Sequence, residues 1–405
     1  MAADLFAKHV AKRGQLLYPL LIASVKLNSK GPAVIPPLGK EGTEKMRIAL
    51  MSPWNDCCGV AIHAWLVGSA WLSRGHELIV LASTDERPKG RVPLDRADEP
   101  FVKRCWEMYR YGDRIEDDAS LGLFFDPKPF LEEDFDVFFV EKPCSTPLSA
   151  LSKIFDDIRR KGPVVAIMHE GRPLKNKRFY GLKWDAASLF DERYMALYGR
   201  SLPARRVEVI PYPFHPVREG DKGEARASLG LPEEPAIVLA FGMRAGHLWP
   251  VMPILSELAD ELDIKLLILA KHEEALRASR ALRARYGFVE IRREAPAPDR
   301  LYRYLHASDA VLLHRRPAPY VPVSSTVHLC LGSMRPILCS DNNFFTPYDG
   351  FVIKYRTPGE LREKLKAVLN GDSWVGEVLD RAKHVIGRFS ADKIATRLLD
   401  LARAS

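Results

Sequence analysis

The chain has 405 residues, 47% of them hydrophobic and 28% charged, with 60 Lys and Arg against 52 Asp and Glu and a net charge of +8. This length exceeds one ordinary core and suits two domains, and the interspersed signs argue against a nucleic-acid-binding tail while leaving a mildly basic surface suited to phosphorylated small molecules or an anionic membrane face. Six cysteines without a CxxC pair argue against a zinc ribbon or thioredoxin-like site, and no apolar run is long enough to span a bilayer.

Residues 1–45 differ from the rest and end in a Gly/Pro/Lys-rich stretch that reads as a linker. The folded part is expected to begin at Met46, which is also a candidate start of translation. The alternative for this arm is a peripheral membrane or partner contact, because the apolar run Leu16 to Val25 is flanked by Lys and Arg. The expected location is cytoplasmic, with the inner membrane face as the option that the arm leaves open.

From Met46 onward, short apolar runs alternate with helical patterns. "RIALMSP" reads as a strand, "AIHAWLVGSAWLSRG" as a helix ending at Gly75, and "HELIVLAS" as the next strand. "FDVFFVEK", "GPVVAIMHE" and "VEVIPYP" come next as strands. The polar, Pro- and Gly-punctuated "FHPVREGDKGEARASLGLPEEP" then reads as a domain joint. A second series runs through "AIVLAFG", a helix from Pro253 to Leu262, "KLLILAK", a helix from Ala275 to Arg285, and "FVEIRR". It continues with "DRLYRYLHASD", "AVLLHRR", "VPVSSTVHLCLGSMRPIL", a helix from Pro358 to Asn370, and a terminal helical segment from Val375 to Ala404. Strands alternating with helices imply right-handed βαβ units and parallel sheets. The expected fold class is α/β, two doubly wound Rossmann-like domains over 46–214 and 215–405, with the carboxyl ends of both sheets facing one cleft and the last helix returning to the first domain.

Four segments in this order resemble the GT-B glycosyltransferases of the family 4 type. They are "CGVAIHAWLVGSAWLSRGHELIVLAS", "VEVIPYPFHP", "LGLPEEPAIVLAFGMR", and "LYRYLHASDAVLLHRR" followed by a helix and "GSMRPIL". The resemblance covers residues 46–405. It implies a retaining transferase with a nucleotide-sugar donor on the second domain, a sugar or lipid-linked acceptor on the first, and no cofactor beyond that co-substrate.

Several residues carry chemistry of their own. Gly59, with Val60 and Ala61, lies between the first strand and its helix, where backbone N–H groups can face an anion or a glycine can serve a tight turn. The resemblance sets this loop against acceptor and donor phosphates. His169, Glu170 and Arg172 end a strand of the first domain and would point into the cleft, Arg172 able to pair with a phosphate or carboxylate. By resemblance His169 sits near the transferred sugar and the acceptor. Arg244 stands within a residue of the family's first diphosphate-binding cation, while the second cation falls near Leu248 and is missing. His247, Lys271, Arg315 and Arg316 are candidate replacements, and His314 joins the proposed donor site.

The family's two glutamates, with seven residues between them, fall on Val321 (or Tyr320) and Leu329 (or His328), and the stretch from Val321 to Leu338 contains no Asp or Glu. What remains is Ser324, Ser325 and Thr326 at a helix N-terminus, as a phosphate cradle or as simple capping. His328 is a substitute ribose contact, and no metal-ligand constellation is expected. The leading expectation is a glycosyltransferase. A non-catalytic sugar- or nucleotide-binding relative is the second reading, and a nucleotide-sugar epimerase, for which Glu170 is the available carboxylate, the third.

Overall fold

The computed structural model describes residues 44–84, 92–109, 114–199, 201–241 and 245–405. The arm read at residues 1–45 lies outside them apart from Glu44 and Lys45, and so does Arg244.

The first parallel sheet is built from β1 (Arg47–Ser52), β2 (Glu77–Ser83), β3 (Val102–Trp106), β4 (Val137–Glu141), β5 (Val164–Ile167), β6 (Trp184–Leu189) and β7 (Ala204–Val209). Its order is β3-β2-β1-β4-β5-β6-β7. The central strands are mostly apolar and, apart from Arg47 at the start of β1, buried, as a sheet covered on both faces requires. The second parallel sheet contains β8 (Ala236–Phe241), β9 (Ile264–Leu269), β10 (Val289–Arg292), β11 (Ala310–Leu313), β12 (Ile337–Ser340) and β13 (Ile353–Tyr355), in the order β10-β9-β8-β11-β12-β13. Both orders reverse beside the first strand of their series, the switch point at which a ligand crevice opens in doubly wound folds.

Six helices shape the region around these switch points and the joint between the domains: α1 (Gly59–Ser73), α2 (Glu192–Tyr198), α3 (Ser325–Cys330), α4 (Pro358–Asn370), α5 (Ser373–Arg388) and α6 (Ala391–Arg403). The sequence reads Val375 to Ala404 as one terminal helical segment, whereas the structure breaks it at Phe389 and Ser390. There the joint between the domains passes alongside: the Phe214 N–H donates to the Phe389 carbonyl (3.0 Å) and the Ala391 N–H to the Phe214 carbonyl (3.2 Å). The break turns α6 onto α1, where the Trp71 indole N–H donates to the Ala395 carbonyl (2.9 Å) and Ile394, Leu398 and Leu401 enter the first core. Each such fully buried aliphatic side chain contributes roughly 1.5–3 kcal/mol of burial. From the opposite direction, Ile62 and Trp65 of α1 pack against the second core, Trp65 stacking on His215 at 5.7 Å. The two domains thus share α1 and α6. Among the described residues, no helix is long and apolar enough to cross a membrane.

Candidate active site

The site lies where the carboxyl ends of β1, β4 and β5 meet the loop between β11 and α3. After β1 the chain turns through Asn55, whose φ of 51° is left-handed and which anchors itself by donating to Asp98 (2.9 Å) and Glu99 (3.1 Å). Cys58 then caps α1, its sulfur accepting from the Ala61 N–H (3.4 Å). Gly59 opens the helix against the second domain: a Cβ built on it would lie 3.0 Å from Ser325 Oγ. The Tyr212 hydroxyl donates to the Gly59 carbonyl at 2.6 Å and ties the joint to the same turn, and Val60 behind it is buried. Gly59 and Ser325, singled out separately from the sequence, are therefore in contact.

The cradle at Ser324–Thr326 differs in detail from a capped helix. Ser324 is buried and its side chain makes no capping bond. Its φ of −91° and ψ of 85° depart from the extended geometry that lets an N-cap oxygen reach back to the first turn. Its N–H is held instead by the Tyr348 hydroxyl (3.0 Å). Thr326 is half-buried. Val321 and Leu329 pack against the first and second cores respectively. His328 is no ribose contact here: it is buried, with its ring stacked on Phe214 at 4.1 Å, and burial depresses its pKa to about 3.

Beyond β5, His169 and Glu170 turn inward. A hydrogen bond joins His169 Nε2 to Glu141 Oε2, and the other carboxylate oxygen of Glu141 lies 2.6 Å from His63 Nδ1. Glu141 and His63 are buried and the His169 side chain is 7% exposed. Burial works to raise the Glu141 pKa, but the two imidazoles outweigh it and hold the carboxylate low, to about 2. Burial lowers the His169 pKa to about 4 against the pull of Glu141, so the ring is neutral at neutral pH. Glu170 Oε1 accepts from the Cys144 N–H (2.9 Å) while Oε2 is buried without a partner, and burial pushes its pKa up. Arg172 instead reaches the second domain, donating to the Pro319 carbonyl (3.3 Å) and lying over the Tyr320 ring.

The remaining donor-site candidates make their bonds elsewhere. Lys271, just beyond β9, is 2.5 Å from Asp95 of the first domain. His314, just beyond β11, hydrogen-bonds the Tyr355 hydroxyl at 2.8 Å and stacks on its ring, and burial lowers its pKa.

Sequence reading missed His63 and Glu141, which with His169 bring ligand-type atoms within 4.8 Å of one another. The signal was present: a carboxylate closing the otherwise apolar strand "VFFVE", and a lone imidazole in the apolar first turns of α1.

A strap, residues 319–323, closes this side of the cleft. The Val321 N–H donates to the Gly171 carbonyl (3.0 Å). Tyr194 donates to the Val321 carbonyl (3.3 Å) and Arg193 to the Pro322 carbonyl (2.9 Å). A Cβ on Gly171 would lie 2.1 Å from the Val321 carbonyl oxygen, so only glycine permits this approach.

No protein-family model matches the chain. Solved structures do. HepE of Anabaena in complex with UDP and glucose superposes with a TM-score of 0.60 at 12% identity, over 89% of this chain and 100% of that one. A glycosyltransferase from Rickettsia africae gives 0.59 at 12% identity over 89% and 98%. Sucrose-phosphate synthase from Thermosynechococcus elongatus gives 0.57 at 14% identity over 89% and 99%. At these identities the likeness is one of architecture, and that architecture is GT-B.

Proposed function

We propose that this GT-B chain is a glycosyltransferase that moves a sugar from a nucleotide-sugar donor to a hydroxyl-bearing acceptor, with retention as in the family 4 type it resembles. The observation that carries the reading is the meeting of Gly59 with Ser325 at the switch points of the two sheets, beside the buried His169 array. In this reading Ser325, Thr326 and Arg244 face the diphosphate, where negative charge develops as the bond to the sugar breaks and where oriented donors stabilise the transition state most. His169 and Arg172 belong to the acceptor side. HepE was solved with UDP and glucose, which makes UDP the first nucleotide to try.

The test is calorimetric binding of UDP, GDP and ADP and their sugars to the full chain. At least one is expected to bind, and Ser325→Ala and Arg244→Ala are each expected to weaken it about tenfold, some 1.4 kcal/mol. Unchanged affinity in both variants removes the donor-site assignment, and absence of any nucleotide binding removes the transferase reading.

One observation favours the second reading, a non-catalytic sugar- or nucleotide-binding relative: neither pair of positions on which the resembled family's glutamates fall offers a carboxylate, and Val321 and Leu329 pack against the cores. Hydrolysis of a bound sugar nucleotide separates the two, since a binding protein leaves it intact. The epimerase reading is weakened by Glu170, the carboxylate it would use: burial raises its pKa and Oε1 is occupied by the Cys144 N–H.

A further inference from the structure

Glu141 is the last residue of β4 and has no exposed surface. As an ionised carboxylate it can only accept, and it lies within hydrogen-bond distance of one nitrogen on each of two imidazoles. Both of those nitrogens must therefore carry the proton: Nδ1 of His63 and Nε2 of His169. A neutral imidazole has one N–H, so the remaining nitrogen of His169, Nδ1, holds a lone pair. Among the described residues no hydrogen bond engages Nδ1. The ring is wedged edge-on between Phe190 (4.8 Å) and His63 (5.2 Å, interplanar angle 90°), which leaves it little rotational freedom. It sits just beyond the carboxyl end of β5, on the rim that faces the cleft. The second arm, His63, is one turn inside α1, whose first residue is Gly59. One buried carboxylate thus couples the glycine turn to the strand end that carries His169.

We propose that Glu141 is a positioning residue which, with His63, locks His169 as the Nε2–H tautomer, so that Nδ1 receives the hydrogen bond of the acceptor hydroxyl. This rests on the transferase reading for the identity of the hydroxyl, while the tautomer itself does not. The same three side chains have the chemistry of a metal site, but the 2.6 Å from His63 to Glu141 is a hydrogen-bond distance. Two ligands on a tetrahedral zinc with bonds of 2.0–2.1 Å stand about 3.3 Å apart. A proton is the bridge that fits.

The test uses the full chain labelled with 15N-histidine, with long-range 1H–15N spectra at pH 7.5 and His169→Asn to assign the signal. The expected His169 pattern is a protonated Nε2 and an unprotonated Nδ1. In Glu141→Gln the amide can accept on one side only and donates on the other, so one of the two imidazoles must change tautomer. Steady-state hydrolysis of UDP-glucose is the second readout: Glu141→Gln is expected to lower kcat about thirtyfold per nucleotide-binding site counted by calorimetry, with KM within about twofold, whereas loss of folding lowers the number of sites and leaves the rate per site unchanged. A His169 ring protonated at Nδ1, or one equivalent of zinc by elemental analysis that Glu141→Gln abolishes, overturns the proposal. Should Glu141→Gln fail to fold, the wild-type spectrum and the zinc content decide alone. If the wild-type protein turns over no nucleotide sugar yet shows the expected tautomer, the transferase reading falls and the lock stands.

Discussion

Histidines hold this molecule's response to acid. Burial depresses the pKa of His169 and of His215 to about 4 and that of His328 to about 3. Each of these rings is neutral in the folded chain, whereas in the unfolded chain it takes a proton near pH 6.5. Between those values the unfolded state binds more protons, so stability rises with pH across the window and falls as pH drops from about 6.5 toward 4. Glu141 adds a loss of the same sign at lower pH, where its depressed pKa is crossed. Glu170, with its raised pKa, acts in the opposite sense: its contribution is present below the unfolded carboxylate value and fades as pH rises through the folded one. At pH 5 each of the three histidines is expected to cost about 2 kcal/mol relative to pH 7.5. Urea melts at the two pH values check this, and equal midpoints would mean that the rings are solvated or already charged in the native state.

At the scale of the element, the strands legible in the sequence are those that carry a short apolar run, most plainly in buried strands such as "RIALMS" and "VFFVE". The strands that escaped are those without it: β3 is the edge strand "VKRCW", β6 is the small-residue run "WDAASL", and β13 is three residues long. The same rule explains the site. Gly59, Ser325 and His169 stood at punctuated strand ends and could be read, while Glu141 and His63 were hidden inside apolar elements whose partner is visible only once β4, β5 and α1 are side by side. The break between α5 and α6 is a third case. Helical periodicity runs through it, and what stops the helix is a backbone exchange with Phe214, far away in sequence. Its local trace is Ser390, whose hydroxyl accepts from the Lys393 N–H at 3.4 Å and starts α6. Ser390→Ala is expected to cost about 1 kcal/mol, the usual value of an N-cap. The melt should shift by a few degrees while nucleotide affinity stays put; an altered affinity would mean that α6 also governs how the domains meet.

At the scale of the whole molecule, the two sheet domains touch across the cleft. Gly59 rests on Ser325, the strap at 319–323 rests on Gly171, and Lys271 pairs with Asp95. Asp95 is the most connected residue of this closure: its carboxylate takes Lys271 on one oxygen and the Ala295 N–H on the other (2.8 Å), and its own N–H donates to the Ala295 carbonyl (2.9 Å). With Gly59 in van der Waals contact with Ser325, a phosphate cannot lie between them, so a donor that uses this turn must bind a conformation in which the domains stand apart. Its apparent affinity is then reduced by the fraction of molecules that are open. Weakening the closed state should therefore tighten binding, the reverse of what removing a ligand contact does. Asp95→Ala deletes two of the three bonds and is expected to stabilise the open state relative to the closed one by about 1 kcal/mol, which corresponds to roughly fivefold tighter nucleotide binding. A larger radius of gyration by small-angle X-ray scattering should accompany it. The variant also leaves Lys271 without its carboxylate partner, with the Pro93 carbonyl at 3.4 Å remaining, so Asp95→Ala/Lys271→Ala is the control: if the gain persists in the double variant it comes from opening, and if it vanishes it comes from the ammonium. Binding that is unchanged or weaker in both, at an unchanged radius, would show that the contact between Gly59 and Ser325 does not gate the site.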